Sequence, residues 1–336
     1  MSEAARLASL VRSFRGQRVL VLADLVADEF VYGRVERISR EAPVLILKHE
    51  TSDVRLGGGA NAVHNIRTLG GRPLPFGVVG KDAHGRELLR LLRAKRIETR
   101  GVVVASGYAT PVKTRILAGR AHSTKQQIVR LDRSAPLAAA SPARRAVLRA
   151  LRAYRGELHG VLVSDYGLGL VDEALVRAGV ALARRRRVPV TVDSRYGLLR
   201  FRGMTAVTPN EPEVEEALGV TIGNDRARLE QAGKTLLARL GCRAVLVTRG
   251  SDGMALFEQG KPPLHIPIHG SDEVADVTGA GDTVIATFTL ALASGADPTQ
   301  AARLANCAGG IVVMKHATAT VSADELVAAV AGNANR

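Results

Sequence analysis

The sequence predicts one large α/β domain spanning residues 1–336, built on a mostly parallel sheet with helices on both faces and a small β region near its start. Two patterns and one absence carry this expectation. From residue 142 onward, helical periodicity alternates with short apolar runs at the pitch of crossover units. Before residue 133, several runs alternate apolar and polar residues with a period of two. No repeat or low-complexity segment divides the chain, although its length could also accommodate two ordinary domains.

In chain order, Arg18 to Ala23 reads as a buried strand, and FVYGRVERIS (30–39) and VLILKHETSDVRL (44–56) read as half-exposed strands. GGGANAVHNIRTLGG (57–71) opens a helix, followed by the strand PLPFGVVG (73–80) and a helix over 83–95. Further strands fall within 101–106, 111–118 and 126–132. The regular part then runs as helix 142–154, strand 160–165, helix 171–186, strands 188–193 and 205–210, helix 225–240 and a strand from 244. Three helical patterns, 279–294, 298–313 and 322–332, end the chain.

Composition removes several classes of function. No apolar run approaches the ~20 residues of a membrane span, and the N-terminus lacks the pattern of a signal peptide, so the expected location is the cytoplasm. Cys242 and Cys307 stand far apart without metal-type spacing and read as buried thiols. A formal net charge of +15 suits nucleic acid or anionic small substrates. Aromatic residues are only 3% of the chain and no nucleic-acid-binding signature occurs, which points away from nucleic acid. The densest basic run, Arg184 to Arg187, falls where a helix ends, and cations suit that end of the dipole.

In open α/β sheets ligands bind beyond the carboxyl ends of the strands. Asp24, Asp165, Asp193, Asn210 and the Thr248-Arg249-Gly250 turn all follow such strands, although Asp and Asn also cap turns and helices there. Ala-Gly-Lys-Thr at 232–235 is not a phosphate loop, because Arg228 stands where that motif needs glycine. GGGAN (57–61) is not a dinucleotide fingerprint, but its glycines permit close approach of a ligand. In DVTGAGDT (276–283), Gly279, Ala280 and Gly281 at a helix start offer N–H groups and the positive dipole end to an anion such as a transferring phosphoryl group. Asp282 beside them could take the proton of an attacking hydroxyl, or could instead cap the helix or pair with an arginine.

DVTGAGDT and GGGANAVHNIRTLGG together resemble the two signatures of the ribokinase-like (PfkB) carbohydrate kinases, in the right order. The resemblance is nearest the branch of D-glycero-D-manno-heptose-7-phosphate kinases of ADP-heptose synthesis. That branch is matched by RISREAPVLILK (37–48), KQQIVRLD (125–132), VLVSDYGLGL (161–170), LVTRGSDGMALF (246–257), PPLHIP (262–267), ADVTGAGDTVI (275–285) and ATATVSADEL (317–326). The resemblance implies a ribokinase-like fold with a β lid built from segments within 25–57 and 108–132. It implies ATP and Mg2+ as cofactors, K+ as a further ion, a sugar phosphate as substrate and a homodimer formed through the lid. It also implies that Asp282 is the base and that Gly279, Ala280 and Gly281 form the anion hole. Asn210 and Glu213 match the motif that positions Mg2+, through water, and the ATP phosphates. Thr248, Gly250 and Gly253 match the nucleotide turn, with Asn306 closing the adenine pocket. Asp276 and Thr278 match the surroundings of a monovalent cation, with the loop before Thr320 as its other wall. Asp24, Asp28, Gly58, Gly59 and Asn61 fall on the sugar side. Lys113, Arg115 and Arg130 are the candidates for holding the substrate's own phosphate, since ammonium and guanidinium groups suit that task.

The chain departs from the branch at Ala23, where glycine is usual and where the added methyl is expected to narrow the approach to the sugar. The 119–125 loop is longer than expected. Some relatives carry a fused nucleotidylyltransferase, and the absence of an HxGH-type motif implies that a second activity needs another polypeptide.

Overall fold

A computed structural model describes residues 2–119, 125–270, 276–315 and 318–332, and structural statements below concern those residues. The strands are β1 (Arg18–Ala23), β2 (Leu25–Ile38), β3 (Leu45–Gly58), β4 (Arg72–Gly80), β5 (Val102–Ala105), β6 (Val112–Gly119), β7 (Gln126–Arg133), β8 (Gly160–Asp165), β9 (Val190–Ser194), β10 (Ala206–Val207), β11 (Ala244–Thr248), β12 (Met254–Glu258) and β13 (Leu264–Ile266). The helices are α1 (Glu3–Arg12), α2 (Gly59–Thr68), α3 (Ala83–Ala94), α4 (Pro142–Ala153), α5 (Glu173–Arg186), α6 (Glu211–Leu218), α7 (Arg226–Leu240), α8 (Ala280–Ala293), α9 (Pro298–Val313) and α10 (Ala323–Gly332).

The large sheet has the order β13-β12-β11-β10-β9-β8-β1-β4-β5, parallel from β5 to β11. The final two strands are antiparallel, a hairpin-like edge that the sequence reading left out. Alternation along β1 divides the core. Val19, Val21 and Ala23 join the face covered by α1, α2, α3, α8, α9 and α10, whereas Leu20 and Leu22 join the face covered by α4, α5 and α7. Helix α8 is apolar on nearly every side because it lies inside its layer, packed against α2 and α9. The basic run at the end of α5 occupies its last turn, with Arg187 left-handed at the cap (φ 55°), so the dipole account holds. The Ala-Gly-Lys-Thr stretch lies inside α7.

β2, β3, β6 and β7 form a separate sheet in the order β3-β2-β6-β7, whose central pair β2–β6 is parallel. Each face of β7 is exposed, including Ile128, Val129 and Leu131. β2 leaves the carboxyl end of β1 after Asp24 and β3 leads directly into α2, so this sheet stands at the edge where β1 and β8 end. No described helix is long and apolar enough to cross a membrane. Most of the 119–125 loop (120–124), Ala275 and His316–Ala317 lie outside the described residues.

Candidate active site

Helix α8 begins at Gly279, which is left-handed (φ 79°), and no side chain caps it. This decides one alternative, because Asp282 in the first turn is not the cap. Its buried carboxylate instead accepts hydrogen bonds from Asn61 Nδ2 (3.0 Å) and from the Tyr166 hydroxyl (2.8 Å). Asn61 is aimed in turn by Asn65, whose Nδ2 donates to Asn61 Oδ1 (3.2 Å) while its Oδ1 accepts from Thr283 Oγ1 (3.0 Å). Glycine is required at 279, since a Cβ there would stand 2.4 Å from Asn61 Nδ2. Burial pushes the Asp282 carboxyl up to about 7, with Asp28 adding repulsion and Asn61, Tyr166 and Lys113 opposing it. A carboxylate poised near neutrality beside a helix N-terminus is suited to accept a hydroxyl proton.

Asp28 is also buried, its two oxygens taken by Arg115 Nη1 (3.2 Å) and Thr318 Oγ1 (2.9 Å). Asp24 differs from the expected sugar contact. Its Oδ2 accepts from the backbone N–H groups of Tyr166 and Leu168, both at 3.0 Å, so it fastens the turn that presents Tyr166. Burial raises Asp24 to about 6. The Ala23 methyl, expected to narrow the sugar approach, is buried against Gly59, where a second Cβ would lie 2.4 Å away. Gly58, left-handed at φ 52°, packs over Val26 and Tyr166.

On the other side of Gly281, Thr248, Gly250, Gly253, Met254, Ile268, Val277, Ala280, Val284 and Asn306 line a mostly apolar cavity of about 180 Å³. Of the residues expected to bind nucleotide, Thr248, Gly250, Gly253 and Asn306 are brought together beside the start of α8, whereas Asn210 and Glu213 lie outside this cavity. Asn306 anchors the cavity wall by donating to the Pro267 carbonyl (2.8 Å). Asn210 and Glu213 form a capping box on α6, Asn210 Oδ1 accepting from Glu213 N (2.8 Å) and Glu213 Oε2 from Asn210 N (2.9 Å). Burial raises the Glu213 carboxyl, with Glu216 adding to it and Arg195 opposing it. Asp193, at the end of β9, is pushed well above the usual range by burial and by Glu213, Asp282 and Asp165. Asp193 thus feels the charge of the Glu213, Asp282 and Asp165 carboxylates together. Among the described residues no three acidic, histidine or cysteine side chains converge to hold an ion.

Asp276 accepts from Thr278 N (2.8 Å) through Oδ1. On the opposite wall, Lys315 Nζ donates to the Thr320 carbonyl (2.8 Å) and pairs with Glu325 (2.6 Å). The cations expected at the substrate phosphate separate. Arg115 is buried against Asp28 and the Phe30 ring, Arg130 pairs with Asp132 on the exposed strand, and Lys113 alone turns toward Tyr166. Tyr166, Asn65 and Arg195 were not singled out as site residues from sequence, whereas Asp193 was picked out only by its place at a strand's carboxyl end. Tyr166 had a signal, standing next to Asp165 in a glycine-rich turn at a strand's carboxyl end. Asn65 had one too, four residues after Asn61 on the same helix face.

A glycine-led helix start, a buried carboxylate held by two donors and an adjoining cavity thus stand together at one edge of the large sheet. Residues 18–325 match the model of the pfkB family carbohydrate kinases. The chain belongs to that family and is a kinase acting on a carbohydrate hydroxyl. It is 42% identical over 322 residues to the bifunctional protein HldE of Caulobacter sp. (strain K31), covering 96% of this chain and 64% of that protein. It is 40% identical to HldE of Geobacter sulfurreducens over 309 residues, 92% of this chain and 62% of that one. The chain thus spans less than two thirds of these relatives. Among solved structures, the fold is similar to Arabidopsis thaliana ribokinase complexed with ribose and ATP (TM-score 0.70, 20% identity, 94% of this chain and 99% of that chain). It is likewise similar to Escherichia coli phosphofructokinase-2 in complex with potassium (TM-score 0.74, 18% identity, 95% and 99%).

Proposed function

We propose that this kinase transfers the γ-phosphoryl group of ATP to O1 of D-glycero-D-manno-heptose 7-phosphate, giving the 1,7-bisphosphate used in ADP-heptose synthesis. The observation that carries the phosphotransfer reading is Asp282, buried and held by two donors, with Gly281 on the nucleotide-side cavity and Tyr166 on the sugar side. The heptose part is supported by the seven matched segments and by the HldE relatives.

In this reading Asp282 accepts the O1 proton while Asn61 and Tyr166 fix the carboxylate's direction. The N–H groups of the α8 start receive charge that develops on the phosphoryl oxygens. Glu213 and Asp193, with Asn210 holding Glu213 in place, face the Mg2+ position through water. Mg2+, when bound, neutralises the ATP phosphates. Asp276, Thr278 and the segment before Thr320 are the proposed surroundings of K+. The small sheet acts as a lid that excludes water, and its exposed Ile128, Val129 and Leu131 support pairing of two copies through β7. The cytoplasm, where ATP is supplied, is the proposed location.

The test is ADP release from MgATP with heptose 7-phosphate, sedoheptulose 7-phosphate, fructose 6-phosphate, fructose and ribose against no sugar. Preferred turnover of heptose 7-phosphate is expected. Preference for another sugar overturns the substrate, and silence with all of them, despite ATP binding, makes the chain a sensor.

A further inference from the structure

Beside the base, a second cavity of about 240 Å³ opens between the small sheet and the core, lined by Lys113, Asp132, Tyr166, Arg195 and Tyr196 among others. Its charges do not balance internally. Arg195 lies 5.6 Å over the Tyr196 ring and makes no ion pair among the described residues. Lys113 Nζ stands 5.6 Å from the Tyr166 ring centre, and Asp132, 3.9 Å away, is already held twice by Arg130, at 2.8 and 3.2 Å. Burial lowers the Lys113 ammonium, Arg130 and Arg195 lower it further, and Asp132 and Asp28 only partly oppose this. Lys113 is half-buried and Arg195 exposed, and beyond Asp132 the charge of Arg195 also reaches the Glu213 carboxyl without pairing with it; two cations placed so, with no carboxylate of their own, attract an anion.

We infer that this cavity is the subsite for the phosphate already carried by the acceptor sugar, with Lys113 and Arg195 as its ligands. The inference rests on the kinase reading above and adds a length requirement. The Tyr166 ring lies beneath Lys113 while its hydroxyl bonds Asp282, so phosphate and reacting hydroxyl are separated by about one tyrosine side chain. The matching acceptors carry the two groups at opposite ends of the carbon chain. Arg195 therefore takes the place expected of Arg115 and Arg130, because Asp28 and Asp132 hold those two. The phosphate adds charge-assisted hydrogen bonds to both cations, and Arg195 can offer it a two-pronged contact.

The experiment compares kcat/KM for heptose 7-phosphate against heptose, and for fructose 6-phosphate against fructose, in wild type, Arg195→Gln, Lys113→Gln and Arg195→Lys. In each glutamine variant the preference for the phosphorylated form is expected to fall about 10- to 100-fold. The fall should come through KM of the sugar phosphate, with KM for MgATP unmoved, and Arg195→Lys should recover part of it. Equal losses on phosphorylated and unphosphorylated sugars mean that Arg195 serves the transferring phosphoryl group, and overturn the subsite. Wild type without any preference for phosphorylated sugars also overturns it. Preference for fructose 6-phosphate over heptose 7-phosphate, abolished in Arg195→Gln, keeps the subsite and overturns the heptose reading. If no sugar turns over, calorimetric binding of heptose 7-phosphate decides, and affinity equal in wild type and Arg195→Gln overturns the subsite.

Discussion

Replacing Asp282 by asparagine should lower activity and, above neutral pH, raise stability. Moving a buried carboxyl from an ordinary 3.8 to about 7 costs about 4 kcal/mol once the group is ionised. Below pH ~4 it is protonated in folded and unfolded chains alike, and nothing is lost. As pH rises, the unfolded chain ionises first while the folded chain keeps its proton to about 7, so stability falls through that window and stays lower above it. Asparagine removes this pH-dependent loss. Its amide NH2 must face one of the two donors, Asn61 Nδ2 or the Tyr166 hydroxyl, at a cost of about 1–3 kcal/mol. The ligand-free variant should thus be about 1–3 kcal/mol more stable than wild type near pH 8, and this advantage should shrink by about 2–3 kcal/mol near pH 5. Equilibrium urea unfolding at the two pH values measures the difference, and ADP release should show kcat lower by at least ~10²-fold. Parallel stabilities at both pH values would refute the ionisation argument, and wild-type turnover would refute the role as base.

Three further outcomes follow from the same network. In wild type, kcat/KM for the acceptor should rise with pH and level off above about 7, where Asp282 is ionised. Tyr166→Phe removes a hydrogen bond to the ionised form and should move that midpoint upward; an unmoved midpoint in a pH–rate profile would count against the contact. Gly279→Ala places a Cβ at φ 79° and against Asn61 Nδ2. It should destabilise the fold by more than ~1 kcal/mol and reduce kcat on the order of 10²-fold, read by urea unfolding and ADP release; wild-type values in both would show that Asn61 does not need this space.

The parallel strands of the large sheet and its longer helices are legible in the sequence because each is a local pattern, an apolar run or a 3.6-residue stripe, whereas the short edge strands β12 and β13 and helices α1 and α6 are not. The start of α8 is legible too, since Gly279 just before an apolar helix and Gly281 in its first turn define it without help from elsewhere. Residues at strand ends are legible as a set, because parallel topology puts those ends on one edge. Individual roles are not. Asp24 and Asp28 look alike in sequence, yet one fastens the Tyr166 turn and the other is enclosed by Arg115 and Thr318. Lys113, Arg115 and Arg130 are equivalent by residue type, and only the pairing of β2 with β6 and of β6 with β7 decides which cation meets a carboxylate and which faces the cavity. Tyr166 reaches Asp282 across 116 positions of chain, and Arg195 joins Lys113 from just beyond β9 of the other sheet. Local preference thus sets the elements and their order in this protein. The protonation of Asp282 and the destination of each arginine depend on burial and on distances between segments remote in sequence, which exist only once the two sheets have come together.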